Sequence, residues 1–386
     1  MRYSFRLAEL LGHAPNPRKR PGTIKAIVEH TGLDRHQVAA LLKNEVKYIP
    51  LRALSRLCDY LIEHAQIPAD DLPGALFAIE PENFWELLAR RRRLDLCIGV
   101  RRLDMDYPEG ALVMASDSVL LGELLNGVST LGGTAKHRRH VSEHENGKAP
   151  AETPHPEYLK QSLVWSPGQV EDNTVRDRAR FIYKEFDKST KDKALITLGS
   201  MKSNPVWELS IARAFGCDPF QSQDNVSSPK ERGCPFFFRY RDFDPHPDSC
   251  SGGLQIAQGR ISEDPGIYYE KADGTWTLCP WDQTTHDTAM VFYVHRESQG
   301  WLEMALGGFS GRATRLLAKT LATRAQDLWP PVYCAHGIQV GAFIVQYTLN
   351  KDEVADQDIL RTDLVANTHI IALDGETIER RLKSVG

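Results

Sequence analysis

No stretch of the 386-residue chain is apolar for long enough to span a bilayer, and the N-terminal residues form no hydrophobic run of signal-peptide length. Neither a membrane protein nor a secreted one is expected, and a cytoplasmic location is. Cysteine is sparse. Seven residues, at positions 58, 97, 217, 234, 250, 279 and 334, make an odd number with no C-x-x-C pair. That argues against a disulfide framework and for reduced, buried thiols. Cys234, His246 and Cys250 are neighbours in sequence, but their spacing is not that of a zinc finger or ribbon, so no metal is expected. Glycine fingerprints are missing too. Neither G-x-G-x-x-G nor a P-loop occurs, which disfavours an ordinary NAD dehydrogenase or ATPase.

What is present is the composition of an ordinary folded protein, 41% hydrophobic and 25% charged, with a length that suits two or three domains. The most patterned stretch is residues 23–61. Ile24, Ile27 and Val28 form an apolar stripe at helical spacing. Gly32 follows where a left-handed residue would turn the chain. Asp34 then stands as a helix N-cap, with Gln37 three residues on at the capping-box spacing. Val38, Leu41 and Leu42 give a second buried face, and Leu54, Leu57, Cys58 and Leu61 a third. Helix, glycine turn and helix make a helix-turn-helix arrangement.

On those residues the segment resembles the phage-repressor/Cro-like (XRE) DNA-binding family. The resemblance covers about a seventh of the chain, and the long basic connection at residues 13–22 departs from the shorter turn usual there. It implies that the helix after Asp34 is the recognition helix. Arg35, His36, Gln37 and Ala40 then become candidates for base readout, Gln37 suiting adenine and Arg35 guanine or phosphate. Lys43, Asn44, Lys47 and Arg52 become candidates for phosphate contact. Arg18, Lys19 and Arg20 belong to a basic loop that either follows the DNA or is simply solvated. A helical cap touching no DNA is the competing reading, and charge argues against it. Residues 1–50 carry nine basic and four acidic side chains in a chain whose net charge is −4.

Around this stretch, residues 3–13 read as a first helix with Leu7, Leu10 and Leu11 facing inward. Prolines 68, 73 and 81 punctuate short helices. The run Arg90 to Arg93 reads as a solvated face or a further phosphate contact. Beyond it the texture changes to strand-turn-helix units, and residues 132–160 read as an exposed polar loop. The expected architecture is α/β: an N-terminal all-α helix-turn-helix domain at 1–90, then a Rossmann-like α/β domain at 91–386 with an antiparallel extension and loop insertions.

Three turns in the second domain share one design, at residues 113–119, 197–205 and 305–314. Each leads from an apolar strand through small and hydroxyl residues into a helix. Such turns gather at the carboxyl ends of parallel strands, where helix N-termini bind anions. The candidate ligand residues are Ser116, Asp117, Ser118, Gly199, Ser200, Lys202, Ser203, Asn204, Gly307, Gly308, Ser310 and Arg312. The implied ligand is a small anion, such as a nucleotide or another phosphorylated molecule. Glu208, one turn into the following helix, could serve as a general base, although the helix dipole alone favours an acid there. Asp282, His286 and Asp287 lie on a polar loop that reads better as a turn than as a hydrolytic site.

Three functions fit these features. The first is a ligand-responsive transcription regulator, most simply a repressor, bound as a homodimer to double-stranded DNA and not to membrane. The second is a DNA-tethered nucleotide-processing enzyme of the glycosyl hydrolase or transferase type. The third is an antitoxin-like protein binder. The first is preferred, with enzymatic activity not expected and no cofactor assigned.

Overall fold

The structure is a computed structural model. It describes residues 2–11, 21–43, 45–65, 69, 72, 76–89, 91, 93–102, 110–130, 159–188, 193–222, 225–258, 260–261, 264–296, 300–335, 338–350 and 365–383. The expected loop at 132–160 lies outside this set except for its last two residues, which open a strand (Leu159–Trp165). Two compact units emerge. One holds residues 1–82 with 295–301 and 334–339, and the other holds the rest.

In the first unit, strand β1 (Arg2–Phe5) precedes a short helix α1 (Leu7–Leu10). Helices α2 (Pro21–Thr31), α3 (Arg35–Leu42) and α4 (Leu51–Ala65) follow, then strand β2 (Phe77–Glu80). The head is therefore not all-α. β1 pairs antiparallel with β2, from Arg2 opposite Glu80 to Phe5 opposite Phe77. The rings of Phe5 and Phe77 meet edge-on at 5.4 Å. The expected helix at 3–13 shrinks to one turn around Leu7, because long-range strand pairing overrides the local helical spacing.

The apolar stripes of α2, α3 and α4 converge as their periodicity requires. Ile27, Val38, Leu41, Leu57 and Leu61 are buried together, with Ile24, Val28, Leu42, Leu54 and Cys58 packed around them. Gly32 turns the chain between α2 and α3 with φ 73°, a left-handed conformation that favours glycine. Its amide donates to the Val28 carbonyl at 2.9 Å, closing α2.

The second unit begins with helix α5 (Phe84–Ala89), whose Phe84, Leu87 and Leu88 join the body's core. Strands β3 (Arg93–Arg102) and β4 (Ala111–Val113) lead to helix α6 (Ala115–Thr130). Then come β5 (Leu159–Trp165), α7 (Asp172–Lys188), β6 (Lys193–Leu198) and α8 (Val206–Phe215). A strand-rich stretch follows: β7 (Phe236–Arg239), β8 (Gly252–Gly253), β9 (Gln255–Ala257), β10 (Arg260–Ile261), β11 (Gly266–Glu270) and β12 (Trp276–Pro280). The chain closes with β13 (His286–Arg296), β14 (Trp301–Gly308), α9 (Gly311–Arg324), β15 (Tyr333–Ala335), β16 (Ile338–Leu349), β17 (Val365–Ala372) and α10 (Gly375–Lys383).

The main sheet runs β15-β16-β13-β14-β6-β3-β4, with β17 on β16 and β5 on β3. It is mixed. β3 is parallel to β5 and β6 but antiparallel to β4, and β17 is antiparallel to β16. Helices cover both faces, which is why β6 is buried at every residue. On one face Leu120, Leu124, Leu316, Leu317 and Leu321 of α6 and α9 pack on Ile98, Ile196, Leu198 and Met304. On the other, Ala179, Ile182 and Phe186 of α7 and Val206 of α8 pack on Cys97, Val164 and Leu195. The body is thus a mixed α/β domain. β7, β8, β11 and β12 form a separate sheet in which β11 is antiparallel to both β7 and β12.

Three placements complete the fold. β13 belongs to the main sheet. α10 is docked, with Ile378 buried and Arg381 bonded to Glu270 at 2.7 Å. Arg91 is buried with its Nε on the Leu87 carbonyl, and Arg93 pairs with Asp95. Those two arginines are part of the fold and not a solvated charge run.

Candidate functional site

The DNA-facing candidates lie on α3 and beside it. Asp34 is extended (φ −73°, ψ 163°), and its carboxylate accepts the amides of His36 at 2.7 Å and Gln37 at 2.9 Å. Gln37 Oε1 accepts the Asp34 amide at 3.3 Å, completing a capping box. This box fixes where α3 starts and therefore which side chains face out. Arg35 and His36 occupy its first turn and are exposed, while Val38 and Leu41 on the opposite stripe are buried. Ala40 is half-buried, and Lys43, Lys47 and Arg52 are exposed. Arg18, Lys19, Arg20 and Asn44 lie outside the described residues. A helix whose N-terminal turn is polar and open, braced by two others, is what major-groove reading requires.

Residues 18–62 match the family model of the Cro/C1-type HTH DNA-binding domain. The Cro/C1-type domain points to a DNA-binding regulator of transcription. No curated protein and no solved structure matches the chain. Among the described residues no helix is long and apolar enough to cross a membrane.

In the body, the three turns meet. Gly199 donates its amide to the Leu306 carbonyl at 3.0 Å, and Thr197 Oγ1 reaches the Met304 carbonyl at 3.2 Å. The two contacts advance together, so β6 and β14 run parallel and their following turns lie side by side. A Cβ on Gly307 would stand 2.4 Å from the Gly199 carbonyl group. The turn at 113–119 arrives differently from expectation. β4 is short, exposed and antiparallel to β3, with Val113 opposite Val100. It still delivers the start of α6 to the same place: a Cβ on Gly199 would stand 2.8 Å from Asp117 Oδ2, and one on Gly311 3.5 Å from Ser116 Oγ.

Asp117 is the unusual group there. It is buried, its Oδ1 accepts from Ser116 Oγ at 3.2 Å, and its Oδ2 has no hydrogen-bond partner among the described residues. Burial pushes its carboxyl up to about 6, against smaller opposing effects of the Ser116 hydrogen bond and the Arg101 charge. Ser200 is buried and Ser118 is exposed.

The other candidates are engaged within the fold. Asn204 is fully buried; its amide donates to the carbonyls of Cys97 at 2.9 Å and Leu198 at 3.1 Å, and its oxygen accepts the Val206 amide at 3.2 Å. It ties β3, β6 and the start of α8 together. Ser203 Oγ donates to the Ser200 carbonyl at 2.9 Å. Thr314 Oγ1 takes the Gly308 amide at 3.1 Å. Ser310 caps α9 by accepting the Ala313 amide at 3.2 Å and donates to Asp287.

The two cations meant for an anion are paired. Lys202 Nζ lies 3.1 Å from Asp244 and 4.0 Å from the Phe309 ring centroid, and burial lowers it to about 8. Arg312 Nε lies 3.3 Å from the buried Asp287. The sequence reading missed Asp244 and Asp287 as their partners, because the first pair spans 42 residues and the second 25. Neither spacing follows a helix or strand period.

Glu208 is likewise occupied. Its carboxylate accepts from Ser249 Oγ at 2.6 Å, Ser251 Oγ at 3.1 Å, the Phe220 amide at 3.4 Å and the Cys250 amide. A carboxylate with four donors anchors a loop; it is poorly placed to take a proton from a substrate. Asp282 holds its own turn, accepting the Thr284 amide at 2.7 Å and contacting His286 Nδ1 at 2.8 Å. Two clefts of the body lie elsewhere. Glu208 lines one, with Arg176, Met201, Phe220 and Tyr240; Lys319, Arg324 and Tyr347 line another. Neither includes Ser116, Asp117, Gly199 or Ser310.

Proposed function

We propose that the protein is a ligand-responsive transcription repressor that binds operator DNA through α3, as a homodimer on a two-fold site. Residues 1–82 would form the DNA-binding head and the α/β body its sensor. The observation that carries this reading is the outward-facing first turn of α3, fixed by the Asp34–Gln37 box inside the Cro/C1-type domain. A homodimer would read half-sites about 34 Å apart, one turn of duplex. Within the body, the junction of the three turns is the proposed sensor. Lys202 and Arg312 are already neutralised by carboxylates, so a bare phosphate gains little there. Asp117 Oδ2 and the Ser200 hydroxyl suit a ligand with hydroxyl donors, such as the ribose of a nucleotide-like molecule.

The test is fluorescence anisotropy of the full chain on fragments of its own promoter region. Arg35→Ala with His36→Ala should abolish specific binding while leaving the circular dichroism spectrum unchanged. Undiminished binding by that double variant would remove the assignment. For the sensor, nucleosides and nucleotides should raise the melting temperature of the wild type and not of Asp117→Asn.

A further inference from the structure

Three cysteines that are far apart in sequence come together in the body. Cys217 follows Gly216, whose left-handed φ of 64° ends α8, and its amide returns to the Ala212 carbonyl at 3.0 Å. Cys234 lies two residues before β7, and Cys250 two residues before β8. The Sγ atoms of Cys217 and Cys234 are 3.6 Å apart, those of Cys234 and Cys250 3.7 Å, and all three lie within 4.8 Å of one another. Cys234 and Cys250 are buried and Cys217 is half-buried.

The distances discriminate between chemistries. A disulfide needs its sulfurs about 2.0 Å apart. A tetrahedral ion with metal–sulfur bonds of about 2.3 Å has sulfur–sulfur edges of about 3.8 Å. An iron–sulfur cluster would hold at least one of the three farther away, because no single iron of a cluster takes three protein thiolates. The spacings from Cys234 to Cys217 and to Cys250 are those of tetrahedral edges, and the third pair lies within 4.8 Å.

The surroundings also fit. Room for the Cys217 thiol exists only because residue 233 is glycine; a Cβ there would stand 2.2 Å from Sγ. The buried Arg232 guanidinium reaches the carbonyls of Ile256 at 2.7 Å, Gln255 at 3.0 Å, and Ser249 and Cys250 at 3.4 Å. No carboxylate ion-pairs with it among the described residues. Three thiolates around a divalent ion leave one excess negative charge, and Arg232 places a positive charge beside it.

We propose that Cys217, Cys234 and Cys250 bind one zinc ion in tetrahedral geometry. Among the described residues no fourth cysteine, histidine or carboxylate joins them. The half-buried Cys217 leaves that side of the ion open to a fourth donor, water included. The ion would clamp the end of α8 to the strands β7 and β8. It would also hold the 249–251 segment that surrounds Glu208.

The experiment is metal analysis of the full chain purified under reducing conditions from zinc-supplemented cells. One zinc per chain is expected, with loss in Cys234→Ser and retention in Cys97→Ser, a buried cysteine outside the cluster. The serine variant can fail to fold, so the wild type is also stripped of metal and titrated with Co²⁺. Thiolate-to-cobalt charge transfer in the near ultraviolet and tetrahedral d–d bands in the red should saturate at one equivalent. A folded wild type that purifies without zinc and gives no such bands overturns the proposal. So does a Cys217–Cys234 disulfide found by mass spectrometry in the zinc-replete protein.

Discussion

Gln37 folds back on its own helix end: its Oε1 accepts the Asp34 amide at 3.3 Å while Asp34 accepts the Gln37 amide at 2.9 Å. A glutamine that reads adenine needs both its oxygen and its nitrogen. In this arrangement the oxygen is occupied, so base reading by Gln37 requires the box to open. Glutamate satisfies a capping box as well as glutamine does and suits the helix dipole better. Gln37→Glu should therefore leave the melting temperature unchanged or slightly higher. The same change puts a negative charge toward the duplex and should weaken specific binding about tenfold or more. Asp34→Ala should instead lower stability by about 1 kcal/mol through loss of the cap. Equal loss of stability in both variants, measured by urea denaturation, would contradict this division of roles.

Exposed cations next to α3 should act differently from the helix itself. Lys43, Lys47 and Arg52 are exposed and suited to phosphates. Each lost phosphate contact reduces the slope of log affinity against log salt by about 0.9. Lys43→Ala and Arg52→Ala should weaken binding to operator and random duplexes alike and flatten that slope. Arg35→Ala should weaken operator binding selectively. A salt slope unchanged in both phosphate variants would show that the head docks in another way.

The head was legible in sequence because its information is local. Gly32, the Asp34–Gln37 spacing and the stripes ending in Leu61 act within one or two turns of helix. What was not legible is non-local. Nothing in residues 2–5 announces that they pair with residues 77–80, and without that pairing Leu7, Leu10 and Leu11 read as a longer helix. The body's three turns could be read as a design from their strand-turn-helix pattern. Lys202 and Arg312 read as free charges, since their partners Asp244 and Asp287 are set by the fold and not by spacing. Cys217 escaped notice for the same reason: it shares a thiol cluster with residues 17 and 33 positions away.

Asp117 gives the body a pH signature. Its carboxyl is raised from 3.8 to about 6 by burial. An acid raised in the folded state keeps its proton where the unfolded chain has released it. The Asp117 contribution to stability is thus most favourable below about pH 4, falls as pH rises through about 4 to 6, and stays lower above. At about 1.4 kcal/mol per unit, the cost at neutral pH is on the order of 2–3 kcal/mol. Asp117→Asn removes the charge and should be more stable than wild type at pH 7.5 but not at pH 4. Urea denaturation across this range is the measurement. Parallel pH profiles for the two proteins would rule out a buried, uncompensated carboxylate at position 117.

Two glycines of the body should respond to alanine with opposite signs. Gly122 lies mid-helix in α6, is exposed, and has nothing within 4 Å of where a Cβ would stand. Alanine there restricts the unfolded chain and favours the helix, stabilising by about 0.5–1 kcal/mol. Gly307, next to last in β14, lies against the backbone of the neighbouring turn, and a Cβ there would stand 2.4 Å from Gly199 C and O and 2.6 Å from the Ser200 amide nitrogen. Backbone cannot swing aside as a side-chain tip can, so β6 and β14 must separate at their carboxyl ends. Overpacking of this kind costs about 1–3 kcal/mol or more. The strain falls on the turns that carry Asp117, Gly199 and Ser200, so Gly307→Ala should also lose whatever melting-temperature response the wild type shows to nucleosides, and Gly122→Ala should keep it. Thermal denaturation with and without ligand separates the cases. If Gly307→Ala matched the wild type in stability and response, the close apposition of the β6 and β14 turns would be refuted.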